Sequence, residues 1–227
     1  MNKTRFLKKC VFTSLQVGCI LLCAVACNEA ENEIVFPPVI SELVEVHTDN
    51  QGHCSRLLTD QGIWLTIGNQ IATTDSLTKD SAYRCSCRYI LNPDNPNEAM
   101  IYSLRQIPSF HPIAAHSVSE IKSDPLSLQS IWIGGKYLNL ALLVKSQKEN
   151  HSYMIIEDSL KAFIQGGRTL YLRLYHDAGG DMEAYTQTVY LSVPLYHYFP
   201  ILQKGDTIAI GINISEKGWQ TWKTSFF

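Results

Sequence analysis

Alternation of apolar and polar residues with a period of two recurs along most of this 227-residue chain, and it constrains the fold more than any other feature. Successive side chains of a strand point to opposite faces, so this period belongs to half-buried strands and not to helices. In 169–176, Leu170, Leu172 and Leu174 share one face while Tyr171, Arg173 and Tyr175 share the other. Val189, Leu191, Val193 and Leu195 stand opposite Thr188, Tyr190 and Ser192. Ile208, Ile210, Ile212 and Ile214 stand opposite Thr207, Ala209, Gly211 and Asn213. Further strands are expected at 138–144, 153–157 and 219–226, and shorter ones at 43–48, 55–59, 63–67, 83–91 and 100–105. The expected class is therefore all-β. Five short strands within 40–112 suit a small OB-like barrel, and the longer set within 125–227 suits an antiparallel β-sandwich. Residues 113–124, rich in Ser and charge and bounded by Pro112 and Pro125, are expected to link the two. The run Asp177-Ala178-Gly179-Gly180-Asp181 supplies Gly for positive φ and Asp for local hydrogen bonds, so it is expected to close a hairpin.

The N-terminus has a different logic. Lys3, Arg5, Lys8 and Lys9 precede an apolar stretch from Val17 to Ala26, which ends in Ala24-Val25-Ala26-Cys27. A basic start, a short apolar run and small residues before a cysteine are the layout of a lipoprotein signal peptide. The run is shorter than the roughly 20 apolar residues that span a bilayer. Residues 1–26 are thus expected to be removed and Cys27 to carry acyl chains, each buried methylene adding about 0.8 kcal/mol of membrane affinity. The expected address is the outer membrane, facing the periplasm or the exterior. Glu29, Glu31 and Glu33, followed by Pro37-Pro38, make 27–39 an acidic tether. The whole chain has 19 Lys and Arg against 21 Asp and Glu. Four of those basic residues lie in the leader, so the mature balance is about six negative charges. With no basic run either, nucleic acid is not an expected partner.

Sequence patterns that carry chemistry are few. A nucleophile elbow, a zincin helix, a phosphate-binding glycine loop and an EF-hand loop are all missing, so neither catalysis nor a cofactor is expected. Cys85 and Cys87 alternate with Arg84, Ser86 and Arg88, which puts both thiols on the face of Tyr83 and Tyr89. Core thiols, one disulfide from Cys54 to Cys85 or Cys87, and a zinc site completed by His53 stay open as readings. Of these, the metal site is not the expected one. Asp177, Asp181 and Glu183 fit no calcium loop and read as a solvated turn. His176, at a strand end on the leucine face, reads as a structural histidine. Tyr171, Arg173, Tyr175 and Tyr190 project opposite the aliphatic face, and flat aromatic rings beside a hydrogen-bonding group suit a sugar or a protein partner. Packing of the same face on the first domain is the alternative.

Thr48-Asp49, Gly52, Leu58-Thr59-Asp60, Gly62, Leu65 and Arg88-Tyr89-Ile90-Leu91 in the first domain form an ordered series of motifs. Trp132-Ile133-Gly134-Gly135, Tyr137-Leu138-Asn139, the strand from Leu172 to His176, Asp181 and Tyr185 continue it in the second. In this order and spacing the chain resembles the NigD-like lipoproteins of certain Gram-negative anaerobes. The resemblance implies an OB-like N-terminal domain joined to a β-sandwich and brings no catalytic residue. Cys54, Cys85 and Cys87 depart from its pattern. The function expected is a non-catalytic binding module for a surface protein or glycan. The alternatives are a structural or bacteriocin-immunity-type envelope protein and a hydrolase with an unrecognised site.

Overall fold

The computed structural model describes residues 37–71, 77–147 and 151–226. Cys27, the expected leader and most of the expected tether lie outside the described residues. Residues 37–227 cluster as one compact unit.

The first five strands are β1 (Ile40–Thr48), β2 (Cys54–Thr59), β3 (Trp64–Ile67), β4 (Ala82–Asn92) and β5 (Asn95–Gln106). They close a barrel in the order β1-β2-β3-β5-β4, with β3 and β5 parallel and the other pairs antiparallel. Its interior is filled by Val44, Val46, Leu57, Leu65, Cys85, Cys87, Tyr89, Ala99 and Ile101, the residues that strand alternation turns inward.

The remaining strands are β6 (Ile113–Ala114), β7 (Ser127–Gly134), β8 (Tyr137–Ser146), β9 (Ser152–Ala162), β10 (Arg168–Asp177), β11 (Tyr185–Pro194), β12 (Thr207–Ile214) and β13 (Gly218–Ser225). They form a five-stranded sheet, β13-β12-β10-β9-β6, and a three-stranded sheet, β11-β8-β7. The leucine and isoleucine faces of β8, β10, β11 and β12 meet in one core between the sheets. Both faces of β8 are covered, and Tyr137 to Leu142 are all buried, which is why this strand reads as a nearly unbroken apolar run.

Four expectations change. The sandwich is not wholly antiparallel, since β12 runs parallel to β10 and β6 parallel to β9. Residues 177–181 do not close a hairpin: β10 belongs to the five-stranded sheet and β11 to the three-stranded one, so this turn carries the chain between sheets. The turn chemistry is there, with Asp177 Oδ1 accepting from the Gly179 amide at 2.9 Å, but it does not specify which strands pair. The aromatic platform is consequently divided, with Tyr171, Arg173 and Tyr175 on one sheet and Tyr190 on the other. Tyr175 is itself 9% exposed. Finally, the expected linker 113–124 is built into the sandwich. β6 pairs with β9, Ser123 bridges His176, and the Ser123 carbonyl accepts from Asn213 Nδ2 at 2.6 Å.

Candidate functional site

The outer face of the three-stranded sheet meets the barrel, and polar side chains crowd the seam. Arg84 points outward from β4 because Cys85 points inward, and its side chain is only 2% exposed. Its Nη1 and Nη2 donate to the two carboxylate oxygens of Asp60 at 2.7 and 2.8 Å. From the sandwich, Asn139 Oδ1 accepts from Nη2 at 3.1 Å, Ser192 Oγ accepts from Nε at 3.2 Å, and Ser192 donates to Asn139 at 2.6 Å. The guanidinium lies 4.2 Å from the centre of the Tyr137 ring. Asp60 fits only because position 134 lacks a side chain: a Cβ on Gly134 would stand 2.2 Å from Asp60 Oδ2. Gly135 then takes φ +53 at the first position of the two-residue β7–β8 turn, where glycine is favoured. Bidentate, charge-assisted bonds of this kind fix orientation as well as distance.

Beside this clamp lies an open cleft of about 850 Å³ lined by Glu45, Tyr83, Phe110, His111, Lys136, Tyr137 and Tyr196 among others. Glu45 is 5% exposed and accepts from Tyr137 Oη at 2.5 Å, from Lys136 Nζ at 2.9 Å and from His47 Nε2 at 2.8 Å. Burial pushes its carboxyl pKa up, but these three donors more than reverse that and leave it below the ordinary value. Burial and the Glu45 bond together raise the Tyr137 phenol. Tyr196, 40% exposed, shares a 2.9 Å hydrogen bond with His111 Nε2, and Lys136 Nζ stands 5.8 Å from its ring. Burial, then the nearby His197, hold the His111 pKa down. On the barrel side His47 continues the strip to Trp64, which is 45% exposed, at 4.9 Å between ring centres. The arrangement is an aromatic and polar recognition surface on a locked frame.

The other sequence-predicted residues lie elsewhere. Tyr171 and Arg173 sit on the outer face of the five-stranded sheet, where Arg173 pairs with Asp158 and stands 5.9 Å from the Trp219 ring. Cys54, Cys85 and Cys87 are free thiols, and burial pushes the latter two up to about 12. His176 is buried, with Nδ1 2.8 Å from the Asp124 carbonyl and Nε2 2.8 Å from His151 Nδ1. Asp177 pairs with Lys122, Glu183 pairs with Lys145, and Asp181 accepts from Ser146 Oγ at 2.6 Å. Among the described residues no group of three His, Cys, Asp or Glu side chains is placed to hold a metal ion. Glu45, Arg84, Lys136, Ser192 and Tyr196 were missed. Of these only Glu45 left a signal, a carboxylate inside the apolar run Leu43-Val44-Glu45-Val46.

A family model described as the NigD-like C-terminal beta sandwich domain matches residues 109–226. Among solved structures the chain is similar to a NigD-like immunity protein from Bacteroides caccae, at 30% identity over 84% of this chain and 93% of that one, with a TM-score of 0.68. It is also similar to a putative toxin related protein from Parabacteroides distasonis, at 17% identity, covering 83% and 93% of the two chains, TM-score 0.65. A putative lipoprotein from Bacteroides fragilis is similar at 13% identity, covering 84% and 96%, TM-score 0.56. In these last two cases the likeness is one of fold. No curated protein matches.

Proposed function

The chain belongs to the NigD-like family, and from that premise we propose that it is a non-catalytic recognition module of the cell envelope, tethered through a lipidated Cys27. Its partner, a surface protein or a glycan, docks at the seam cleft. The observation that carries this reading is the convergence of Lys136, Tyr137, Tyr196 and His111 in a concave surface whose two sides are held by the Arg84 clamp. Aromatic rings beside a cation supply large contact area at low entropic cost, and a preformed frame leaves little ordering for the partner to impose.

Membrane fractions test the reading. Wild type remains on the membrane and captures glycans from an array or a defined surface protein. Cys27→Ala releases the chain, whereas Tyr196→Ala and Lys136→Glu leave it anchored but lose capture by roughly thirtyfold, the equivalent of a hot-spot residue worth about 2 kcal/mol. Capture unchanged in both cleft variants contradicts the proposal. An immunity-type role is the second reading, favoured by the name of the Bacteroides caccae neighbour. It predicts that expression protects a susceptible strain from a bacteriocin.

A further inference from the structure

On the other side of the 106–110 strip lies a second hollow that the seam reading does not use. It encloses about 550 Å³, within the range of small-molecule pockets. Val144, from the sandwich core, and Val189 and Phe110, packed at its margin, give it apolar walls. Its polar lining differs from the rest of this acidic chain, because no Asp or Glu contributes to it. Arg105 does, exposed and without an ion pair among the described residues. Tyr153 also lines it, and its buried hydroxyl has no hydrogen-bond partner among the described residues. An apolar hollow whose lining includes a cation and two phenols, Tyr153 and Tyr190, but no carboxylate attracts one sign of ligand.

We propose that this pocket binds a small amphipathic acid, its apolar body against Val144, Val189 and Phe110 and its carboxylate toward Arg105. Burial of the body supplies most of the affinity, and the guanidinium selects the head group by a charge-assisted bond. The two hollows share the wall formed by Gln106, Ile107, Pro108 and Phe110, but neither Lys136 nor Tyr196 lines this pocket.

The test uses residues 28–227, which keep the whole compact unit, and three rigid probes of one shape. These are naphthalene-2-carboxylate, 2-naphthalenemethanol and 2-(aminomethyl)naphthalene, titrated by calorimetry. The carboxylate is expected to bind at one saturable site, about tenfold more tightly than the alcohol, with the amine weakest. Arg105→Ala removes the preference for the carboxylate and leaves the affinity for the alcohol unchanged. Val189→Trp, and independently Gln187→Trp at the rim, block all three probes while thermal melting stays cooperative. Equal affinity for the three probes, no saturable binding, or binding unaffected by both tryptophan variants overturns the proposal.

Discussion

Arg84 is the residue on which the seam turns. With its side chain 2% exposed, the charge is tolerable only because Asp60 and three sandwich groups surround it. Removing one member of a buried pair strands the other, at a cost of about 3–5 kcal/mol. Asp60→Ala is therefore expected to lower unfolding free energy by about that much in urea titration, whereas Arg84→Met combined with Asp60→Leu recovers a substantial part of it. A loss below about 0.5 kcal/mol for Asp60→Ala contradicts the clamp. The sequence marked Asp60, Gly134, Gly135, Tyr137 and Asn139 as carriers of the family resemblance but gave no sign that they meet. Arg84 and Ser192 were not legible in it. Their contacts span 55 and 108 residues of chain, and an arginine on the outward face of a strand reads as solvated until the covering domain is known.

At the scale of elements, alternation located most strands but not their partners. The period of two states that Leu170, Leu172 and Leu174 face one way, and this holds whether β10 pairs with β11 or, as found, with β9 and β12. Pairing depends on burial on both sides, which one strand's pattern does not encode. The same limit concealed how the 122–124 segment settles against the end of β10, where His176 bonds to the Asp124 carbonyl. Burial of His176, helped by His151, outweighs that carbonyl and holds its pKa below the ordinary 6.5. A histidine depressed in the folded state contributes stability that is present above pH 6.5 and is lost as pH falls through the folded value. The midpoint of urea unfolding is expected to drop between pH 7 and pH 5, and His176→Gln to flatten that dependence. An identical pH slope in the variant contradicts this assignment.

At the scale of the molecule, the barrel and the sandwich each have their own core, yet residues 37–227 are one compact unit. Composition suggested a connector at 113–124 because Ser, Pro and charge are common in linkers; here they serve an edge strand, a turn and a bridge to β10. The seam is a fixed surface and not a hinge. Besides the clamp, the Ser192 amide donates to the Pro108 carbonyl at 3.0 Å and the Phe110 amide to the Ser192 carbonyl at 3.2 Å, knitting the approach to the sandwich against the three-stranded sheet. Differential scanning calorimetry of residues 28–227 tests this most directly. One transition is expected, with equal calorimetric and van't Hoff enthalpies and with barrel and sandwich melting together. Two resolved transitions, each matching a domain of about 75 to 120 residues in enthalpy, would contradict it.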